Sequence, residues 1–95
     1  MSEIFEKAGE ASNFLKLLAN PNRLAILCCL LEKDCNVSEL CQAIGMPQAA
    51  TSNQLAILRA AGVIVAEVKH RERVYRVEDE KVRAILAVLH QFYCE

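Results

Sequence analysis

Five cysteines, Cys28, Cys29, Cys35, Cys41 and Cys94, are the residues of this sequence best equipped for chemistry. A thiol can ligate a soft metal, close a disulfide, attack as a nucleophile or pack as a small hydrophobe. Their number is odd and no two fall in a CxxC pair, which disfavours both a disulfide framework and a zinc ribbon. Two adjacent thiols lie in the longest apolar run, Ala-Ile-Leu-Cys-Cys-Leu-Leu at 25–31, and Cys94 stands one residue from the end. The chain has no Gly-rich phosphate loop and no Cys-His-Asn constellation beyond scattered residues, so a thiol oxidoreductase or other enzyme is not expected.

The elements that position these thiols can be read from period and punctuation. With 95 residues and 54% hydrophobic content, residues 1–95 should form one small domain with a thin core, of a size that often completes itself by dimerising. The run from Leu24 to Leu31 is too short to cross a bilayer, and MSEIFEKAGE has acids but no apolar h-region. A cytoplasmic protein with reduced thiols and no membrane partner is the expectation. Ile4, Ala8, Ala11, Leu15 and Leu18 recur at helical spacing and predict a first helix over 3–18. Asn20-Pro21 restarts the chain as N-cap and first helical residue of a second helix, to about Lys33. Asn36 with Glu39 three residues later fits a capping box for a short third helix that Gly45 ends. Met46-Pro47 opens a fourth helix through Ala61, terminated by Gly62. VIVAEVK and RVYRV then form a hairpin around His70-Arg71-Glu72, without the usual Asn-Gly signal. Asp79 caps a last helix whose stripe is Val82, Ile85, Leu86, Leu89, Phe92 and Tyr93.

This order is mainly α with a β-hairpin wing: a winged helix-turn-helix of five helices, α1-α2-α3-α4-β1-β2-α5. The first and last helices carry more apolar surface than the monomer seats. A homodimer through them is expected, with Ile4, Ala8 and Leu15 meeting Ile85, Leu89 and Phe92 and with two recognition helices spaced for adjacent major grooves. A formal net charge of -1 is uninformative about DNA, but its distribution is not. Arg59, Lys69, Arg71, Arg73 and Arg76 outnumber Glu67 and Glu72 between 59 and 76, so Lys69, Arg71 and Arg73 at the hairpin are expected on phosphates. On the fourth helix Leu55 and Leu58 point inward, while Gln48, Ala49, Ser52 and Asn53 fall on the outer arc. Gln and Asn can pair with adenine, Ser can reach a base or a phosphate, and Ala49 leaves room for a thymine methyl. Double-stranded operator DNA is the expected partner.

Over nearly its whole length the sequence resembles the ArsR family of winged-helix transcriptional repressors. The segments that carry the resemblance are LANPNRLAIL at 18–27, VSEL at 37–40 and SNQLAILRAAGVI at 52–64. Gln54 stands where many members have His, and Pro47 where many have a serine cap. The resemblance implies small dimeric repressors released from DNA when a metal or a reactive species modifies them. Aligned on the recognition helix, the family's metal-box cysteines would fall at Asn36 and Ser38, neither a soft ligand. Its Asp-x-His zinc pattern would fall on Asp79-Glu80-Lys81, and His90 is out of register with the remaining ligand pair, which suits a surface or partner-facing histidine. No cofactor or metal is therefore expected. A repressor responsive to zinc, cadmium or arsenite is the alternative reading.

Cys28 and Cys94 match the thiols of the BigR/HlyU-like, persulfide-sensing branch of the family. That likeness implies an intramolecular polysulfide bridge between them and a persulfide or polysulfide inducer that lowers DNA affinity. Two thiols too far apart for a direct disulfide, which needs Cα atoms within about 7 Å, can still be joined when inserted sulfurs lengthen the link by about 2 Å each. Reaction needs thiolate, hence a lowered pKa or ready exposure, and Arg23 on the second helix is a candidate source of positive potential. An independent, weaker reading comes from a helical wheel centred near Leu27 and Leu31. It puts Cys28 at the edge of the inward arc and Cys29 almost opposite, so that Cys29 is expected to be the most exposed of Cys29, Cys35 and Cys41. Cys94 lies off the apolar stripe of the last helix. Cys41 is expected in the core.

Overall fold

Short polar side chains at helix boundaries set where the chain turns. In the computed structural model, which describes residues 2–94, the elements are α1 (Ser2–Leu18), α2 (Pro21–Glu32), α3 (Val37–Ile44), α4 (Gln48–Ala60), β1 (Ile64–Lys69), β2 (Glu72–Val77) and α5 (Glu80–Tyr93). Met1 and Glu95, the ends of the expected domain, lie outside the described residues. The order is the winged helix-turn-helix read from the sequence.

Asn20 caps α2, its Oδ1 accepting from the backbone N–H of Asn22 at 2.9 Å and Arg23 at 3.0 Å. The capping box at α3 is complete, with the Glu39 N–H donating to Asn36 Oδ1 and the Asn36 N–H to Glu39 Oε1, both at 2.8 Å. The backbone bond from Asn36, then Lys33, hold the Glu39 carboxyl below its ordinary range. The box is therefore intact at neutral pH and weakens as acid protonates Glu39. Gly45 ends α3 in the left-handed region at φ 78°, and its N–H donates to Cys41 O at 2.8 Å. Asp79 caps α5 by accepting from Lys81 N at 2.7 Å. Pro47 offers no side-chain cap to α4. Instead Thr51, fully buried, donates its hydroxyl to Pro47 O at 3.0 Å and accepts from Cys41 Sγ at 3.4 Å. That polar residue is absent from the sequence reading because an inward Thr on an amphipathic helix carries no period signal of its own.

Helix α2 is the centre of the packing and touches α1, α3, α4, α5 and β2. Ile26 and Leu27 have no exposed surface, and Leu30 is 3% exposed. They pack with Leu40, Leu55, Leu58, Ile64, Val77 and Val82 in the core. At about 25 cal/mol per Å² of buried apolar surface, such fully enclosed side chains supply the main driving force for folding. By contrast α1, bent 86° from α2, buries only Leu18. A Cα radius of gyration of 14.3 Å, against about 12 Å for a compact chain of this length, reflects elements that stand away from the core. No single helix among the described residues is long and apolar enough to cross a membrane.

The hairpin is antiparallel, in register from Ile64 opposite Val77 to Lys69 opposite Glu72. Its turn is the two residues His70 and Arg71, at φ 52° and 70°. Both adopt the left-handed conformation that two-residue hairpins demand, where Asn and Gly are the favoured residues. Cys35 adds a one-residue bridge to the hairpin, its N–H donating to Tyr75 O at 3.1 Å and its O accepting from Tyr75 N at 2.8 Å. Asn36 Nδ2 donates to Glu72 Oε1 at 3.0 Å beside it. A single paired residue between two helices has no period for a sequence reading to find. Asn36 thus serves the α3 cap and the wing together. Asn36→Ala is expected to cost about 1 kcal/mol, the usual worth of an N-cap. It should lower the urea midpoint without altering the m-value, while Asn13→Ala on the exposed face of α1 should leave the midpoint in place.

Candidate functional site

Burial of Leu55 and Leu58 on α4 turns the opposite arc to solvent, and Gln48, Ala49, Ser52 and Asn53 are all exposed there. Gln54 is half-buried and accepts from Arg23 Nη1 at 3.0 Å. The other contacts of Arg23 are from Nε to Leu17 O at 2.6 Å and from Nη2 to Lys16 O at 3.4 Å. That guanidinium fastens the end of α1 to α4. It is not among the groups that act on the Cys28 thiol, contrary to expectation. The wheel could not foresee this, because the partners of Arg23 lie on other helices.

At the wing, Lys69, Arg71 and Arg73 are exposed. Arg76 is engaged by Glu67 at 3.1 Å and Glu78 at 3.3 Å, and Lys69 stands 3.9 Å from Glu67. The cationic character expected over 59–76 therefore concentrates at the tip, where Arg71 and Arg73 make no ion pair among the described residues.

The two thiols singled out by resemblance line one cavity of about 430 Å³ between α2 and α5. Leu24 and Cys28 come from α2, and Leu86, Leu89, His90 and Tyr93 from α5, with Cys94 as the cap that follows it. Both thiols are exposed. Burial on its cavity side pushes the Cys28 thiol up, and Cys94, Cys29 and Glu32 push the same way. Of the two routes to reactivity considered above, exposure is the one this site offers.

Cys29 overturns its expectation. It is half-buried against the core and lines a separate cavity with Cys35, Glu32, Lys33 and Glu39. The reason is the rotation of α2: the deepest residues are Ile26, Leu27 and Leu30, while Leu31 is only half-buried. Recentring the inward arc on those three turns it by less than one residue step of about 100°. That is enough to put Cys28 opposite the core and Cys29 at its edge. Cys35 is 4% exposed, with its Sγ donating to Lys33 O at 3.4 Å, and Cys41 is half-buried. His90, expected on the surface, is exposed but also lines the Cys28–Cys94 cavity. Its four-residue spacing from Cys94 was the available signal. No group of three or more His, Cys, Asp or Glu side chains among the described residues could hold a metal ion.

Of the residues expected at a dimer seam, Ile4, Leu15 and Phe92 are 66%, 54% and 74% exposed, and Ala8 is exposed. Ile85 and Leu89 are half-buried and packed on the core of their own chain. Phe5 at 80% and Tyr93 at 82% belong with the exposed apolar set; Phe5 escaped the reading because it lies off the stripe of α1.

Iodoacetamide labelling resolved by peptide mass is expected to modify Cys94 readily and Cys35 only after unfolding. Burial, then Glu32, raise the Cys29 thiol. Its thiolate therefore forms at higher pH than that of free cysteine, and its labelling should be slow at neutral pH and accelerate in the alkaline range.

Residues 20–65, from the α2 cap into β1, match the model of the arsR family of bacterial regulatory proteins. The biofilm growth-associated repressor of Xylella fastidiosa is 34% identical over 94% of this chain and 78% of its own length. The HTH-type transcriptional repressor SmtB of Mycobacterium tuberculosis is 42% identical over 93% of this chain and 64% of its own. The solved structure of reduced HlyU from Vibrio cholerae superposes with a TM-score of 0.94 at 33% identity, covering 100% of both chains. With the fold and these relatives in agreement, the chain belongs to the arsR family of bacterial regulatory proteins and is a transcriptional regulator rather than an enzyme.

Proposed function

We propose that this regulator is a homodimeric repressor that holds operator DNA while its thiols are reduced and leaves it when reactive sulfur species join Cys28 to Cys94 through a polysulfide bridge. The observation that carries this reading is the common cavity lined by a thiol of α2 and the thiol that caps α5. Residues 1–95 act as one DNA-binding and dimerisation domain. α4 enters the major groove with Gln48, Ala49, Ser52 and Asn53, and Lys69, Arg71 and Arg73 hold phosphates. The exposed faces of α1 and α5, with Ile4, Ala8, Leu15 and Phe92 and the outer surfaces of Ile85 and Leu89, supply the dimer seam.

The chemistry closes without another oxidant. Two thiols and two organic persulfides give a Cys28–Cys94 trisulfide, two organic thiols and one hydrogen sulfide. The thiols are oxidised, and one sulfane sulfur is reduced to sulfide. A bridge draws the end of α5 onto α2, and Phe92 and Tyr93, the residues just before Cys94, must move with it. In the dimer that movement changes the seam and hence the spacing of the two recognition helices.

The bridge is tested with reduced protein on its operator. An alkyl persulfide should release wild type and Cys29→Ser, with a mass gain linking the Cys28 and Cys94 peptides, whereas Cys28→Ser and Cys94→Ser stay bound. Release of Cys94→Ser by persulfide would refute the bridge. For the DNA surface, Arg71→Ala and Arg73→Ala should each weaken binding on all sequences alike and flatten the log–log salt dependence by about 1. Asn53→Ala should instead reduce the preference for the operator over other DNA.

A further inference from the structure

Two cavities meet at Cys28, and His90 lines both. The first, of about 430 Å³, is the one shared with Cys94. The second, of about 310 Å³, is lined by Cys28, Glu32, Arg83 and His90 among apolar side chains. His90 also precedes Cys94 by four residues, on the same face of α5, and its carbonyl accepts the Cys94 N–H at 2.9 Å. We propose that His90 is the proton acceptor for sulfur exchange at Cys28 and Cys94, with Glu32 supporting its imidazolium, so that a thiol, an imidazole and a carboxylate work together between α2 and α5. The inference deepens the persulfide reading and rests on it.

The groups around the site explain why a base is needed. From α2 the reacting thiol is faced by Cys29 and Glu32, and from α5 by Arg83, Tyr93, Cys94 and His90. Burial and the neighbouring thiols and carboxylate all oppose a thiolate at Cys28. Arg23, the cation expected to help, is spent on α1 and α4. Arg83 directs Nη2 to Val77 O at 3.3 Å. His90 sits in the last turn of α5 and lines, with Glu32, the second of these cavities.

Each step balances. The Cys28 thiol gives its proton to the imidazole, and the thiolate attacks the terminal sulfur of a persulfide RS–SH. The S–S bond breaks with its electron pair on RS, which takes the proton back from His90 and leaves as RSH. A second persulfide extends the chain to a hydrotrisulfide in the same way. The Cys94 thiol then gives its proton to His90, and its thiolate attacks the sulfur next to Cys28 Sγ. The departing HS⁻ takes the proton and leaves as hydrogen sulfide, and the imidazole is regenerated.

The test measures two rates in reduced wild type, His90→Gln, His90→Ala and Glu32→Gln: iodoacetamide labelling of Cys28 between about pH 5.5 and 9, and bridge formation with an alkyl persulfide followed by mass. In wild type the Cys28 rate should already be high at neutral pH and change little through the alkaline range. In His90→Gln it should fall about 100-fold at neutral pH, the lower end of what general bases contribute, and climb through the alkaline range. Added imidazole should restore His90→Ala, and Glu32→Gln should fall between wild type and His90→Gln. Unchanged Cys29 labelling in the His90 variants, and an unchanged urea midpoint in Glu32→Gln, mark an intact fold. Wild-type rates and an unaltered pH profile in His90→Gln would overturn the assignment while leaving the bridge standing. A Cys28 rate that depends on His90 in a protein that never bridges would retain the base and reject the persulfide reading.

Discussion

Enclosure of α2 is the constraint on which the rest of the molecule depends. Five other elements pack around this one helix, and Ile26, Leu27 and Leu30 fix its rotation by giving up nearly all their surface. A helix turns about 100° per residue, so fixing three inward positions sends the next two side chains to different neighbours. Cys28 goes to α5 and its terminal thiol, and Cys29 to the cavity toward α3. Two adjacent and chemically identical residues thus acquire different surroundings from packing alone.

The wing is held in a similar way, by backbone and core rather than by charge. Tyr75 and Val77 are buried, and the Cys35–Tyr75 bridge ties β2 to the segment between α2 and α3. The ion pairs of Arg76 are exposed, and pairs of that kind contribute about 0–1 kcal/mol. Their consequence is electrostatic. They balance the base of the hairpin and leave the tip, where Arg71 sits in a left-handed turn, as the cationic end that a phosphate backbone would meet.

Apolar surface left exposed on α1 and α5 joins the proposed switch to the proposed seam. Ile4, Phe5, Phe92 and Tyr93 lie open on a chain whose core is already closed, and exposed apolar patches rimmed by polar residues mark interaction surfaces. Because Cys94 directly follows Phe92 and Tyr93, a covalent tie at that thiol acts on the aromatic pair nearest to it.

The sequence by itself determined the elements and their order. Caps at Asn20, Asn36 and Asp79, the glycine at 45 and the periods of the helices are local signals, each written within four or five residues, and the structure places the boundaries within one or two residues of those read. It also determined the outward arc of α4, since inward Leu55 and Leu58 oblige Gln48, Ser52 and Asn53 to face out. Only the tertiary structure decided the rotation of α2, the roles of Arg23 and Thr51, the one-residue bridge of Cys35 and the place of His90 beside the cavity that Cys28 and Cys94 share. Each of these depends on a partner many residues away, and the spacing along one helix holds no record of which neighbour will bury which face.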